Sequence, residues 1–194
     1  MLDFLSTAWI EVLGVISSLI YLYFSVRQDI WLWPFGILSS GFFIYIFFTT
    51  GFYADTSLQG YYLVISCYGW YHWVYGKRGE KDKSLPVSRA SVKVLIISFI
   101  IFIILFTSMA QVLDRLTDSD VPWGDAFTTA GSIIATWMLA RKIIEHWLLW
   151  IVIDTVAAAL YLYKAMYPTT VLYVIYTGIA VVGYFQWKRT YSHE

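Results

Sequence analysis

The sequence predicts an all-α polytopic membrane protein of seven transmembrane helices in a 3+1+3 arrangement, and three observations carry that prediction. Of 194 residues, 59% are hydrophobic and only 13% charged, far from the balance of a soluble domain. The apolar residues fall in uninterrupted runs of about 20, the length at which a helix crosses the hydrocarbon core. Lipid admits only helices and closed barrels, and a barrel would need alternating strands that these runs do not offer. Third, the chain repeats itself. Sliding 11–73 onto 125–187, an offset of 114, pairs Ser18 with Ser132, Arg27 with Arg141, Trp33 with Trp147, Tyr53 with Tyr167, Leu58 with Leu172, Tyr62 with Tyr176, Gly69 with Gly183 and Trp73 with Trp187.

In chain order, the runs place spans at about 8–26, 30–49, 56–75, 94–112, 125–140, 146–165 and 169–187. The first lacks a basic leader and a small-residue cleavage site, so it reads as a retained helix. Tyr53-Ala-Asp-Thr and Tyr167-Pro-Thr-Thr punctuate neighbouring spans, with Pro168 suited to a helix start. The substantial loops are 76–93 and 113–124. The organisation expected is a first three-helix bundle over 1–75, a basic loop, linker helix and acidic loop over 76–124, and a second bundle over 125–194. One linker span between the units gives both the same orientation. Parallel repeats of this kind belong to transporters and place substrate near the midplane between the halves.

Charge sets the orientation. The loop after span three carries Lys77, Arg78, Lys81, Lys83, Arg89 and Lys93, whereas the next carries Asp114, Asp118 and Asp120 against Arg115. The positive-inside rule makes the first loop cytoplasmic. Arg27, Arg141, Lys142, Lys188 and Arg189 then fall inside too, with the N-terminus outside and the C-terminus inside. These charges read as topology determinants.

Net charge is zero, so no bulk field points to nucleic acid. The single Cys67 forms no intramolecular disulfide. Zinc-ligand clusters, phosphate loops, nucleophile elbows and dinucleotide fingerprints are absent from the sequence, and neither an enzyme nor a cofactor is expected. Glu145-His146 and His72 sit at span ends and read as interfacial.

Asp154 is the first site candidate, one carboxylate in the middle of a run from Trp147 to Lys164. A charge at membrane depth costs about 2.5–3.5 kcal/mol on insertion scales, so it faces a bundle interior, a partner or a watery path. Ser39, Ser40, Ser66, Ser132, Thr136, Tyr176 and Thr177 reach comparable depth. At about 100° per residue, Trp147, Trp150, Asp154 and Tyr161 share one stripe, as do Gln59, Tyr62, Ser66, Trp70 and Trp73. Aromatic faces attract cations and stack on flat rings, so the substrate-binding set expected is Gln59, Tyr62, Ser66, Trp70, Trp150, Asp154, Tyr161 and Tyr176. Trp9, Trp31, Trp33, Trp73, Trp123 and Trp187 read as interfacial belts.

Trp9-Ile-Glu-x-x-Gly, Tyr53-Ala-Asp-x-x-Leu58-Gln59, Tyr68-Gly-Trp-Tyr-x-Trp73, Arg141-Lys142-x-x-Glu145-x-Trp147-Leu-x-Trp150 and Leu172-Tyr-x-x-Tyr176 resemble the PnuC family of vitamin transporters, from about residue 9 to 189. The resemblance implies a fold like that of the SWEET sugar transporters. It also implies facilitated diffusion of an unphosphorylated vitamin across a bacterial inner membrane, made one-way by a cytoplasmic vitamin kinase. The chain departs from nicotinamide riboside members, which carry Asn at Asp154 and Ser66 and Gln at Lys164. A central carboxylate favours thiamine, with nicotinamide riboside as the alternative. A membrane-embedded small-molecule receptor is the rival from another class, and a homo-oligomer is possible.

Overall fold

The computed structural model describes residues 2–51, 53–76, 85–117 and 120–193. Among these are seven helices: α1 (Leu2–Arg27), α2 (Leu32–Thr49), α3 (Tyr53–Tyr75), α4 (Val92–Leu116), α5 (Pro122–Ala140), α6 (His146–Tyr163) and α7 (Tyr167–His193). They follow the apolar runs, and α7 for example continues past its expected span through Lys188 and Arg189. Five of them, α1, α2, α4, α6 and α7, are long and apolar enough to cross a membrane. In α5 the more polar composition has a physical reason: Ala126, Ala130, Gly131, Ser132, Ile134, Ala135 and Thr136 are buried among neighbouring helices, so they need not match lipid. By contrast α4 exposes Leu95, Ile96, Phe99, Ile100 and Ile104, as a lipid-facing helix should.

The chain forms two compact units, 1–86 and 87–194. In the first, α2 packs on both α1 and α3; in the second, α5 packs on α4 and α6, and α6 on α7. Helix α4, the linker of the sequence reading, thus falls in the second unit. Each unit turns sharply with the same backbone. Gln28 and Lys142, 114 positions apart, adopt φ of 58° and 55°, and Gly51 and Ala165, also 114 apart, adopt 82° and 54°. The bonds correspond as well: Asp29 N donates to Phe24 O at 3.0 Å, and Ile143 N to Met138 O at 2.9 Å. Left-handed backbone is the usual way to end a helix, and glycine adopts it without a Cβ penalty; Ala165 bears that penalty.

A second repeated device is aromatic. Trp33 of α2 lies edge-on to Trp73 of α3, with centroids 5.4 Å apart and planes at 88°. Trp147 of α6 meets Trp187 of α7 at 6.0 Å and 80°. These four indoles are 0–6% exposed. The belt reading therefore fails for Trp33, Trp73 and Trp187. It fits Trp9, Trp31 and Trp123, which are more than half exposed. The reason is local: Gly69 and Gly183 leave room for the Trp33 and Trp147 rings to lie directly on the neighbouring helix. His146 is also core rather than interfacial. It is fully buried, with its ring 4.6 Å from Trp147 and 4.7 Å from Trp187.

Within the loop expected over 76–93, residues 85–91 are described and run to the start of α4. Ser88 forms a parallel bridge with the α5–α6 turn, its N–H donating to Lys142 O and its carbonyl accepting from Ile144 N, both at 3.0 Å. Ala90 N donates to Glu145 Oε2 at 2.9 Å, and the Arg89 guanidinium lies 5.3 Å from the Tyr191 ring centroid. Ser91 then caps α4 by accepting from Val94 N. Beneath this strap Ile134, Met138 and Ile143 form a core joined by Ala90, Val94, Phe102, Trp137 and Leu149. The basic positions 77–83 lie outside the described residues. Because Glu145 supplies a charged acceptor to a half-buried amide, Glu145→Ala should destabilise the protein by about 1 kcal/mol. Thermal melting in detergent checks this; an unchanged midpoint would mean the backbone bridge alone holds the strap.

Candidate substrate site

Helix α6 sets out its stripe as the 3.6-residue period requires. Trp147, Ile153, Asp154, Ala157 and Ala158 are buried, with Trp150 and Tyr161 half-buried on the same face. Asp154 is 5% exposed and has no ion-pair partner among the described residues. Lys164, ten residues further on, pairs instead with Asp125 of α5 at 3.6 Å. A buried carboxylate without a cation beside it is costly.

What approaches it in the second unit is aromatic. From α7, the phenols of Tyr173 and Tyr176 stand within electrostatic reach of Asp154. Tyr173 stacks on Tyr161 with centroids 5.1 Å apart and planes at 21°, and meets Tyr176 edge-on at 5.8 Å and 75°. The structure thus gathers Asp154, Tyr161 and Tyr176 of the expected set around a residue the sequence reading left out. Tyr173 could have been found, since it lies seven positions before Ala180 on the buried side of α7 and inside the Leu172-Tyr-x-x-Tyr176 motif. Its spacing from Tyr176 is one helical turn.

In the first unit, Ser66 is 4% exposed and lies against Gly36 of α2, with the Tyr21 ring beside the same glycine. Tyr62 touches Tyr61 at 5.7 Å, and both phenols stand within electrostatic reach of Tyr21. Tyr21 is a second residue the sequence reading did not single out. Gln59 is half-buried, whereas Trp70 is 41% exposed and lies off the buried face formed by Ile65, Ser66, Gly69 and Trp73.

Several mid-depth hydroxyls are occupied by backbone. Ser39 Oγ donates to Gly14 O of α1 at 3.3 Å. Thr136 and Thr177 donate to Ser132 O and Tyr173 O of their own helices, at 2.8 and 2.9 Å. They serve helix packing and local bonding, so their depth alone does not make them substrate contacts. No group of three or more His, Cys, Asp or Glu that could hold a metal occurs among the described residues.

Residues 8–189 match the family model described as nicotinamide mononucleotide transporter. A nicotinamide riboside transporter, PnuC, of Escherichia coli is 27% identical over 93% of this chain and 85% of its own length. A riboflavin/roseoflavin transporter, RibM, of Streptomyces davaonensis is 26% identical over 92% of this chain and 84% of its own. Among solved structures, the crystal structure of the vitamin B3 transporter PnuC superimposes with a TM-score of 0.74 at 20% identity, covering 96% of this chain and 83% of that one. The described helices therefore adopt the fold of that transporter.

Proposed function

This chain belongs to the nicotinamide mononucleotide transporter family, the PnuC family of vitamin transporters, and from that premise we propose that it carries thiamine into the cell by facilitated diffusion. The observation behind thiamine is Asp154, a buried carboxylate with no ion-pair partner among the described residues and with tyrosines around it. A thiazolium ring brings a delocalised positive charge and a flat face. The carboxylate suits the charge, and phenol rings suit the face. The aminopyrimidine of thiamine adds a donor that a carboxylate accepts.

Nicotinamide riboside is the second reading, because a relative matched over most of both chains is a transporter of that vitamin, itself a cation. The riboflavin relative fits Asp154 less well, since its flavin carries no positive charge. In this reading Asp154, Tyr161, Tyr176 and Trp150 of the second unit contact the vitamin.

Charge sets the orientation of the protein, and trapping sets the direction of uptake. Eleven of thirteen basic residues fall on the side assigned to the cytoplasm, which in this reading is the inside of a bacterial inner membrane. The matched turns at Gln28 and Lys142 and at Gly51 and Ala165 support a parallel three-helix repeat, the plan of transporters that work by alternating access. A cytoplasmic kinase would phosphorylate the vitamin and prevent its return.

Transport is expected to be uncoupled, since apart from Asp154 the spans offer no deep acidic residue for a sodium or proton site. Proteoliposomes loaded with unlabelled thiamine should exchange labelled thiamine to equilibrium and no further. Accumulation above equilibrium, driven by an imposed sodium or proton gradient, would overturn uncoupled transport. Binding without entry to the lumen would favour a receptor instead.

A further inference from the structure

The last turns of α7 and the strap that precedes α4 meet in an alternating column of rings and cations. Lys188 Nζ stands 6.0 Å from the Tyr184 ring centroid, and the Arg89 guanidinium 5.3 Å from that of Tyr191. Positions 184, 188 and 191 follow one another at helical-turn spacing, so they share a face of α7. Arg89 reaches that face from the strap.

Arg89 is not a loosely tethered surface charge. On one side of it Ser88 is bonded through its backbone to Lys142 and Ile144, and on the other Ala90 N donates to Glu145 Oε2 at 2.9 Å. Neither Arg89 nor Lys188 has an ion-pair partner among the described residues. Both are exposed. Further back along the same face, α7 exposes Val181 and Phe185. The face thus passes from apolar side chains, through phenols, to unpaired positive charge, which is the order a lipid presents from acyl chain to phosphate.

We propose that this column binds the phosphate headgroup of an anionic phospholipid, with Lys188 and Arg89 as the phosphate contacts and Val181 and Phe185 against the acyl chain. Free phosphate matches the cations but gains nothing from the apolar steps, so those steps favour the lipid. Basic residues that only orient a chain need charge near the membrane surface and no fixed place. Arg189, exposed next to Lys188 but off this face, is of that kind and supplies the control.

The test titrates dioleoylphosphatidylglycerol into the purified protein in detergent and reads retained lipid by native mass spectrometry, with dioleoylphosphatidylcholine and inorganic phosphate in parallel. Phosphatidylglycerol should be retained in preference to phosphatidylcholine. Arg89→Gln and Lys188→Gln should each weaken its binding about 5-fold, the scale of one basic residue at an anionic surface. Arg189→Gln removes the same charge from outside the column and should change binding by less than about 2-fold. Tyr191→Leu keeps every charge but removes the ring beside Arg89, and should weaken binding as Arg89→Gln does. Arg89→Lys keeps the cation and should bind as the native protein does, which separates a lost contact from a lost fold. Equal retention of the two lipids overturns the proposal. So does an Arg189→Gln as damaging as Arg89→Gln, because charge count alone would then explain binding. Inorganic phosphate that competes mole for mole with the lipid overturns the lipid as occupant.

Discussion

Asp154→Asn should lower thiamine affinity about 10- to 100-fold while leaving the protein folded. The carboxylate is buried and has no ion-pair partner among the described residues, so an incoming cation supplies its first strong partner. Hydrogen bonds to charged groups contribute about 1.5–3 kcal/mol, and each 1.4 kcal/mol is tenfold in affinity. Asparagine keeps the shape and an acceptor but loses the charge. It is also cheaper than a charge at membrane depth, so the melting midpoint should hold or rise. Nicotinamide riboside should lose less than thiamine, because an amide can bond its ribose and carboxamide. Calorimetry with both vitamins decides: unchanged thiamine affinity would make Asp154 a packing residue and remove the main support for a cationic substrate.

Gly183→Ala should be the most destabilising single methyl that can be added to the second unit. A Cβ at Gly183 would stand 2.6–2.7 Å from three atoms of the Trp147 ring, and that indole, itself held by His146 and Trp187, has no room to yield. Overpacking of this kind costs typically about 1–3 kcal/mol. Gly69→Ala should behave alike in the first unit, where the added methyl would strike Trp33. Gly178 supplies the control. Nothing lies within 4 Å of its Cβ position, and alanine is about 1 kcal/mol the better helix former, so Gly178→Ala should melt at or above the native temperature. If Gly183→Ala and Gly178→Ala melted together, the glycine contact would have no energetic role.

The helices and both repeated turns were open to sequence reasoning because each rests on local rules. Apolar runs of span length set the helices, and the 114-residue offset that aligned Arg27 with Arg141 also aligns the left-handed residues that follow them. Asp154 and Tyr161 were legible for a similar reason, since one helical period places them on one stripe. The roles of Trp33, Trp73, Trp187 and His146 were not legible. An aromatic residue near a span end looks the same in sequence whether it faces headgroups or a glycine on the next helix, and only packing decides. Tyr173 lay inside the Leu172-Tyr-x-x-Tyr176 motif, but its stack on Tyr161 is a contact between helices that spacing along one helix does not show. The strap from 85 to 90 was missed because extended chain inside a polar loop carries no periodicity.

That strap also constrains the order of assembly. Ser88 and Ala90 find their partners at Lys142, Ile144 and Glu145, at separations of 54 and 55 residues for the Lys142 and Glu145 side-chain-mediated bonds. At a synthesis rate of roughly 5–20 residues per second, the ribosome needs roughly 3–11 s to deliver the turn that receives the strap. Throughout that interval α4 can enter the bilayer while the residues that precede it still lack their backbone partners. Docking is then a late event that follows the making of α5 and the start of α6. A nascent chain arrested before residue 142 should leave residues 85–90 open to protease, and one arrested after α6 has emerged should protect them.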